Sequence, residues 1–147
     1  MFKSIVVGTD GSETAAEAVL EAIQLAGAVG ASLEIVSAYE PIPRQRLSEE
    51  RREAPEDVQW AITARGEVDA MLERAAAPAR EAGVEVRDYP RQGDPADAIL
   101  DVAEEIEADL IVVGNKGMSG AKRFLLGSVP NKVSHHAPCS VLIIRTT

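Results

Sequence analysis

The 147-residue sequence holds one cysteine, two histidines, one tryptophan, two tyrosines and two phenylalanines. Cys139 alone closes no internal disulfide, and one cysteine with two histidines is too few for a structural zinc site. A reducing cytoplasm is the expected setting. Aromatics at 3% leave the core to Ala, Val, Ile and Leu, which suits helices packed on a buried parallel sheet better than an aromatic-rich sandwich. No run approaches the ~18 apolar residues of a membrane span. The start, Met1 to Gly8, enters a short apolar run without the longer stretch and small-residue cleavage site of a secretory leader. Positive charge is also scarce: 15 basic against 24 acidic residues give a net charge of -9. That balance argues against nucleic acid and anionic membranes as partners, so an anionic ligand has to be small.

What is present is a 46% hydrophobic chain of a length that suits one domain, 1–147. Ser4 to Gly8 reads as a first strand, and Thr9-Asp10-Gly11-Ser12 as a turn whose Ser12 caps the next helix. From Glu13 to about Val29, Ala15, Val19, Ala22, Ile23 and Ala26 fall on one helical face, and Gly30 ends the helix. Leu33 to Ala38 is a second strand. Tyr39 to about Ile62, with its prolines and mixed charge, reads as a long surface loop or lid. A second helix is expected from roughly Thr63 to Glu81, with Val68, Met71, Leu72, Ala75 and Ala79 inward, then a strand from Val84 to Tyr89. Gly93-Asp94-Pro95 supplies a cap and a first-turn proline for a third helix carrying Ile99, Val102, Ala103 and Ile106 at helical spacing. Leu110 to Gly114 is an uninterrupted apolar strand, Ser128 to His136 a fourth helix, and Cys139 to Arg145 a last strand. This alternation predicts an α/β fold: a doubly wound, five-stranded parallel sheet with right-handed crossovers and helices on both faces. Ligands then belong at the carboxyl ends of the strands.

Neither Gly-x-Gly-x-x-Gly at the first strand nor Gly-x-x-x-x-Gly-Lys-Ser/Thr anywhere is present, which disfavours ordinary dinucleotide enzymes and Walker-type kinases. After the fourth strand, however, the chain runs Gly114-Asn115-Lys116-Gly117, nine residues, then Gly127-Ser128 at a helix start. Glycines let backbone N–H groups approach oxygens, and the helix turns its positive end to the same place, with the Ser128 hydroxyl as a further donor and cap. Charge agrees. Residues 1–109 carry a net -14 and residues 110–147 a net +5, with Lys116, Lys122, Arg123 and Lys132 on the loop or the fourth helix. A solvated basic face is the plain alternative.

The Thr9-Asp10-Gly11-Ser12 exit, the Gly-x2-Gly-x9-Gly-Ser spacing and the ending Val133 to Ile144 together resemble the nucleotide-binding branch of the universal stress protein family. The resemblance spans nearly the whole chain, 39–62 excepted. It implies an adenine nucleotide alpha hydrolase-like sheet of order 3-2-1-4-5, homodimers paired through the last strand, and ATP, with Mg2+ on the triphosphate, as the ligand of many members. Carried over residue by residue, it sets Thr9 and Asp10 at the ribose and nearby phosphate and Ala38 at the adenine. Val113, Gly114, Lys116 and Gly117 then face the phosphates, and Gly127, Ser128 and Val129 the distal ones. Pro130 has neither N–H nor hydroxyl, so the first turn has one donor fewer for a γ-phosphate.

Plain structural roles stand beside these. Asp10 is also a common turn residue, and Asp94 and Asp97 are explained by helix capping. His135 and His136 sit where histidines meet terminal carbonyls, Cys139 opens a buried strand, and Trp60 packs on the lid or a partner. With no base identified, the expectation is a binding protein that senses or carries an adenine nucleotide, ATP before others, with at most slow hydrolysis. Cyclic AMP, which carries one phosphate and needs no metal, is the alternative ligand. An ATPase or autophosphorylating enzyme, with Ser119 or Ser128 as acceptor, is the second alternative.

Overall fold

The computed structural model describes residues 1–39, 54–115 and 126–146, with backbone alone over 54–64. The elements in chain order are β1 (Ser4–Gly8), α1 (Glu13–Val29), β2 (Ser32–Tyr39), α2 (Ala54–Glu81), β3 (Val86–Gln92), α3 (Pro95–Glu105), β4 (Leu110–Gly114), α4 (Ser128–His136) and β5 (Ser140–Ile144). All four strand pairings are parallel and the order is β3-β2-β1-β4-β5. The doubly wound sheet expected above is therefore the observed one.

Period-2 alternation sorts the side chains to two faces. Ile5, Val7, Leu33, Ile35, Leu110 and Val112 meet Val19, Ala22, Ile23 and Ala26 of α1 and Leu72, Ala76 and Ala79 of α2. Val6, Val36, Ile111 and Val113 meet Ala96, Ile99, Val102 and Ala103 of α3 and Val129 and Val133 of α4. With both faces covered, the inner strands read as continuous apolar runs. One buried charge interrupts them. Glu34, 3% exposed on β2, accepts hydrogen bonds from Ser32 Oγ (3.2 Å) and Tyr89 Oη (3.2 Å). Desolvation, and after it the Glu34 charge, raises the Tyr89 phenol above its ordinary value.

Local signals account for several ends. Ser12 caps α1 by accepting from the Ala15 N–H (3.2 Å), and Gly30 closes it in the left-handed conformation, φ 71°. Asp94 caps α3 by accepting from the Asp97 N–H (3.0 Å), with Pro95 in the first turn.

Two elements, α2 and β3, differ from the sequence expectation by more than one residue. α2 begins at Ala54, not Thr63; of the expected 39–62 loop, residues 54–62 are helical and 40–53 lie outside the described residues. Pro55, Glu56 and Asp57 at its start are a first-turn proline and acids, favourable to a helix N-terminus and hidden by the charged run before them. The third strand is Val86–Gln92 rather than Val84 to Tyr89, because the Val84 N–H turns back to the Ala79 carbonyl (2.9 Å) and closes α2. At the other end β3 runs through Pro90, which an edge strand tolerates.

The first strand is pinned at its base by Asp109, whose carboxylate accepts from the N–H groups of Lys3 (2.7 Å) and Ser4 (3.0 Å). Those two bonds hold the carboxyl below its ordinary value. A carboxyl depressed in the folded state contributes stability at neutral pH that is lost as pH falls through the folded value. Asp109→Asn should therefore lower the melting temperature at neutral pH by an amount that shrinks on acidification. A gap independent of pH would contradict this. Among the described residues no helix is long and apolar enough to cross a membrane.

Candidate functional site

Parallel pairing brings the carboxyl ends of β2, β1 and β4 to one edge of the sheet. Leaving β1, Thr9 is 2% exposed; its N–H donates to the Val36 carbonyl (2.9 Å) and its Oγ1 accepts from the Gly11 N–H (3.1 Å). Asp10, exposed, accepts from the Ser12 N–H through Oδ1 (2.8 Å), an Asx turn that hands the chain to α1. The turn reading of Asp10 thus holds locally, and the carboxylate still faces solvent. Gly11 sits at φ 83°, and a Cβ there would lie 3.0 Å from Met71 Cγ. Gly11→Ala should cost about 1–2 kcal/mol, from left-handed strain and the displaced Met71. An unchanged urea midpoint would show that the turn relaxes freely.

The neighbouring exit is held by Asn115. Its N–H donates to the Ile144 carbonyl (2.9 Å) and its own carbonyl accepts from the Gly127 N–H (2.9 Å), which joins the end of β4 to the start of α4. Its Oδ1 accepts from the Thr146 N–H (2.9 Å) and Oγ1 (3.1 Å). Gly127, φ -62° and ψ 164°, is the N-cap of α4. Ser128 is the first helical residue, so the expectation that it is the cap is corrected: Gly127 holds that position and the Ser128 backbone is already helical. Pro130 is the third helical residue and carries no N–H.

Gly8, Thr14, Ala15, Val113, Gly114, Val129 and Thr146 line one shallow hollow. The ends of β1 and β4, the starts of α1 and α4 and the tail of β5 meet there. Of the residues the sequence nominated, Val113, Gly114 and Val129 are in its wall, and Gly127 and Ser128 adjoin it at the start of α4. Ala38 is half-buried near the end of β2, and Thr9 faces the opposite side of the β1 exit, towards α2. Lys116 and Gly117, with Ser119, Lys122 and Arg123, lie outside the described residues. Thr14, Ala15, Asn115 and Thr146 were not nominated. Asn115 had a readable signal, since an Asn after a strand commonly bonds nearby backbone; Thr146 had none.

Lys132 is on α4 as expected; its ammonium is 2.8 Å from Asp97 Oδ1 and 3.5 Å from Asp94 Oδ2, and the Asp97 bond chiefly raises its pKa. The helix packing of α4 on α3 directs it there. Cys139 is half-buried against the α3 and α4 face, and desolvation raises its thiol, the reverse of what a nucleophile needs.

A model described as the universal stress protein family matches residues 1–145. Universal stress protein Rv1636 of Mycobacterium tuberculosis is 42% identical over 147 residues, covering 99% of this chain and 98% of that one. A crystal structure of a universal stress protein in complex with cAMP is 36% identical, with a TM-score of 0.73 over 99% of this chain and 98% of that one. UspA of Lactobacillus plantarum has the higher TM-score, 0.80, at 24% identity over 98% of each chain, a likeness of fold.

Proposed function

We propose that this chain, which belongs to the universal stress protein family, is a cytoplasmic binding protein for an adenine nucleotide, with cyclic AMP as its ligand. The observation that carries the reading is the convergence of the β1 exit, the β4 glycine and the first turn of α4 on one hollow. In this reading the Asp10 carboxylate accepts from a ribose hydroxyl, backbone at Ala38 meets the adenine edge, and Gly114, Gly127, Ser128 and Val129 surround the phosphate at the positive end of α4. Lys116 and Gly117 would complete the phosphate side.

Two observations favour one phosphate over three. Pro130 removes a donor from the first turn, and Lys132 is committed to Asp94 and Asp97. The cAMP complex of a relative at 36% identity points the same way. ATP is the second reading, supported by the glycine spacing that suits a longer phosphate tail. Mg2+ would then travel with the triphosphate, and the exposed Asp10 carboxylate is the described residue whose chemistry suits it. In either case the chain binds, orients and partly desolvates the nucleotide; no residue is assigned to phosphoryl transfer.

Assembly belongs to the same proposal. β5 is a sheet edge that leaves Leu142 and Ile143 38% and 39% exposed, and a second copy pairing there would cover both.

Thermal melting with cAMP, AMP, ADP and ATP, each with and without Mg2+, tests the ligand. A ligand at about 100 times its dissociation constant adds about 2.7 kcal/mol, several degrees for a domain of this size. The proposal expects cAMP to give the largest shift without metal. A larger Mg2+-dependent shift with ATP would move the assignment to the second reading, and no shift with any nucleotide would end both.

A further inference from the structure

On the other side of the β1 exit, between α1 and α2, lies a second cavity of about 300 Å³ that the nucleotide reading does not use. Its wall is aliphatic: Ala16 and Leu20 from α1, and Met71, Ala75 and Pro78 from α2. Leu20 is 50% exposed there, a large side chain left in water at the cavity mouth. One cation, Arg74, also lines it.

The surroundings of Arg74 differ from those of its neighbours. The other α2 arginines with described side chains are paired, Arg65 with Asp69 and Arg80 with Glu73. At the three- and four-residue spacings Arg74 has Ala70, Met71, Ala77 and Pro78, none of them an acid. Among the described residues no hydrogen bond or ion pair holds its guanidinium, in a chain of net charge -9. Pro78 has no N–H to give the Arg74 carbonyl, which adds a main-chain acceptor without its helical donor at the same point.

An apolar hollow of this size with one convergent charged group is the pattern of a small-molecule site. We infer that the cavity between α1 and α2 binds a small aliphatic carboxylate, its chain lying on Leu20, Met71, Ala75 and Pro78 and its head group on Arg74. The planar guanidinium fork matches a carboxylate with two parallel bonds. Met71 is flexible enough to adjust to a chain, and among the described residues no aromatic ring lines the wall, which favours a saturated body over a stacked one. Because Thr9 and Gly11 also touch the cavity, an occupant would press on the turn that presents Asp10. The inference does not depend on the nucleotide proposal.

The test is a titration of the full chain with sodium decanoate below its micellar concentration, read by the methyl resonances of its three methionines, Met1, Met71 and Met118. The Met71 methyl should move saturably while that of Met1 stays. Decanol, which lacks the charge, should bind at least tenfold more weakly. Arg74→Gln should abolish the preference for decanoate, and Ala16→Trp, at an exposed position on the rim, should block binding in a chain that still melts cooperatively. Equal binding of decanol and decanoate, or a Met1 shift as large as that of Met71, would overturn the inference. So would a Met71 shift driven by protein concentration alone, which would give the cavity to a second copy. Nucleotide-induced melting shifts are read separately, so failure here leaves the nucleotide assignment standing.

Discussion

Replacing Asp10 with alanine is expected to weaken cAMP binding by about 10- to 100-fold, the largest functional loss of any single side chain described. The carboxylate is exposed beyond the Asx turn it forms with the Ser12 N–H (2.8 Å), and a hydrogen bond to a charged group contributes about 1.5–3 kcal/mol. Since the same side chain also holds the turn, alanine alone does not separate binding from folding. Asp10→Asn does, because an amide oxygen keeps the acceptor for Ser12 while the charge is lost; it should retain the melting temperature and lose much of the affinity. A ligand-side partner closes the cycle. If the ribose hydroxyl is what Asp10 holds, 2′-deoxy-cAMP should bind the parent weakly and the Asp10→Ala protein no more weakly than cAMP itself. Calorimetric titration of the four combinations gives the coupling directly. Additive losses would place the carboxylate away from the ribose.

The second large effect is on stability. Asn115→Ala removes the acceptor for both the N–H and the hydroxyl of Thr146, a part-buried pair with bonds of 2.9 and 3.1 Å. Leaving a buried donor without a partner costs about 1–3 kcal/mol. At about 2–4 °C per kcal/mol for chains near this size, a midpoint loss of about 2 kcal/mol lowers the melting temperature by roughly 4–8 °C. Asn115→Asp keeps an oxygen acceptor and should recover most of it. The same substitution reaches the site, because the Asn115 main chain joins β5 through Ile144 and the start of α4 through Gly127. A loss of nucleotide affinity should therefore accompany the loss of stability in the alanine protein and be smaller in the aspartate one. Unchanged melting of both would show that the end of β5 is not held by this side chain.

The alternation of strands and helices was readable because each element carries its own local signal. Ser12, Gly30 and the Asp94-Pro95 pair mark helix ends by chemistry that acts within one turn, and Ile111, Val112 and Val113 mark a strand buried on two faces by having no polar alternate. The features that escaped are those decided by pairing between distant segments. Glu34 carries no local signal of burial in sequence, and its place in the sheet comes with hydrogen bonds from Ser32 on its own strand and Tyr89 on the neighbouring one. The end of α2 at Glu81 was legible, whereas the start of β3 depends on whether Val84 bonds backwards to the helix or sideways to the sheet.

For the site, the legible part was the set of backbone positions at strand ends, since parallel topology alone brings Val113 and Gly114 to the edge where β1 also ends. Charge was less informative. Lys132 belongs to the basic C-terminal stretch in sequence, yet the packing of α4 against α3 gives it to Asp94 and Asp97. Thr146, which completes both the hollow and the Asn115 clamp, follows the last strand with no motif around it.

The most direct test is an amide NMR titration of the full chain with cAMP. The account predicts saturable shifts at Gly114, Gly127, Ser128 and Val129 and at the Asp10 to Ser12 turn, with the α1–α2 cavity residues changing only where they adjoin that turn. Shifts confined to other surfaces, or none at millimolar nucleotide, would contradict it.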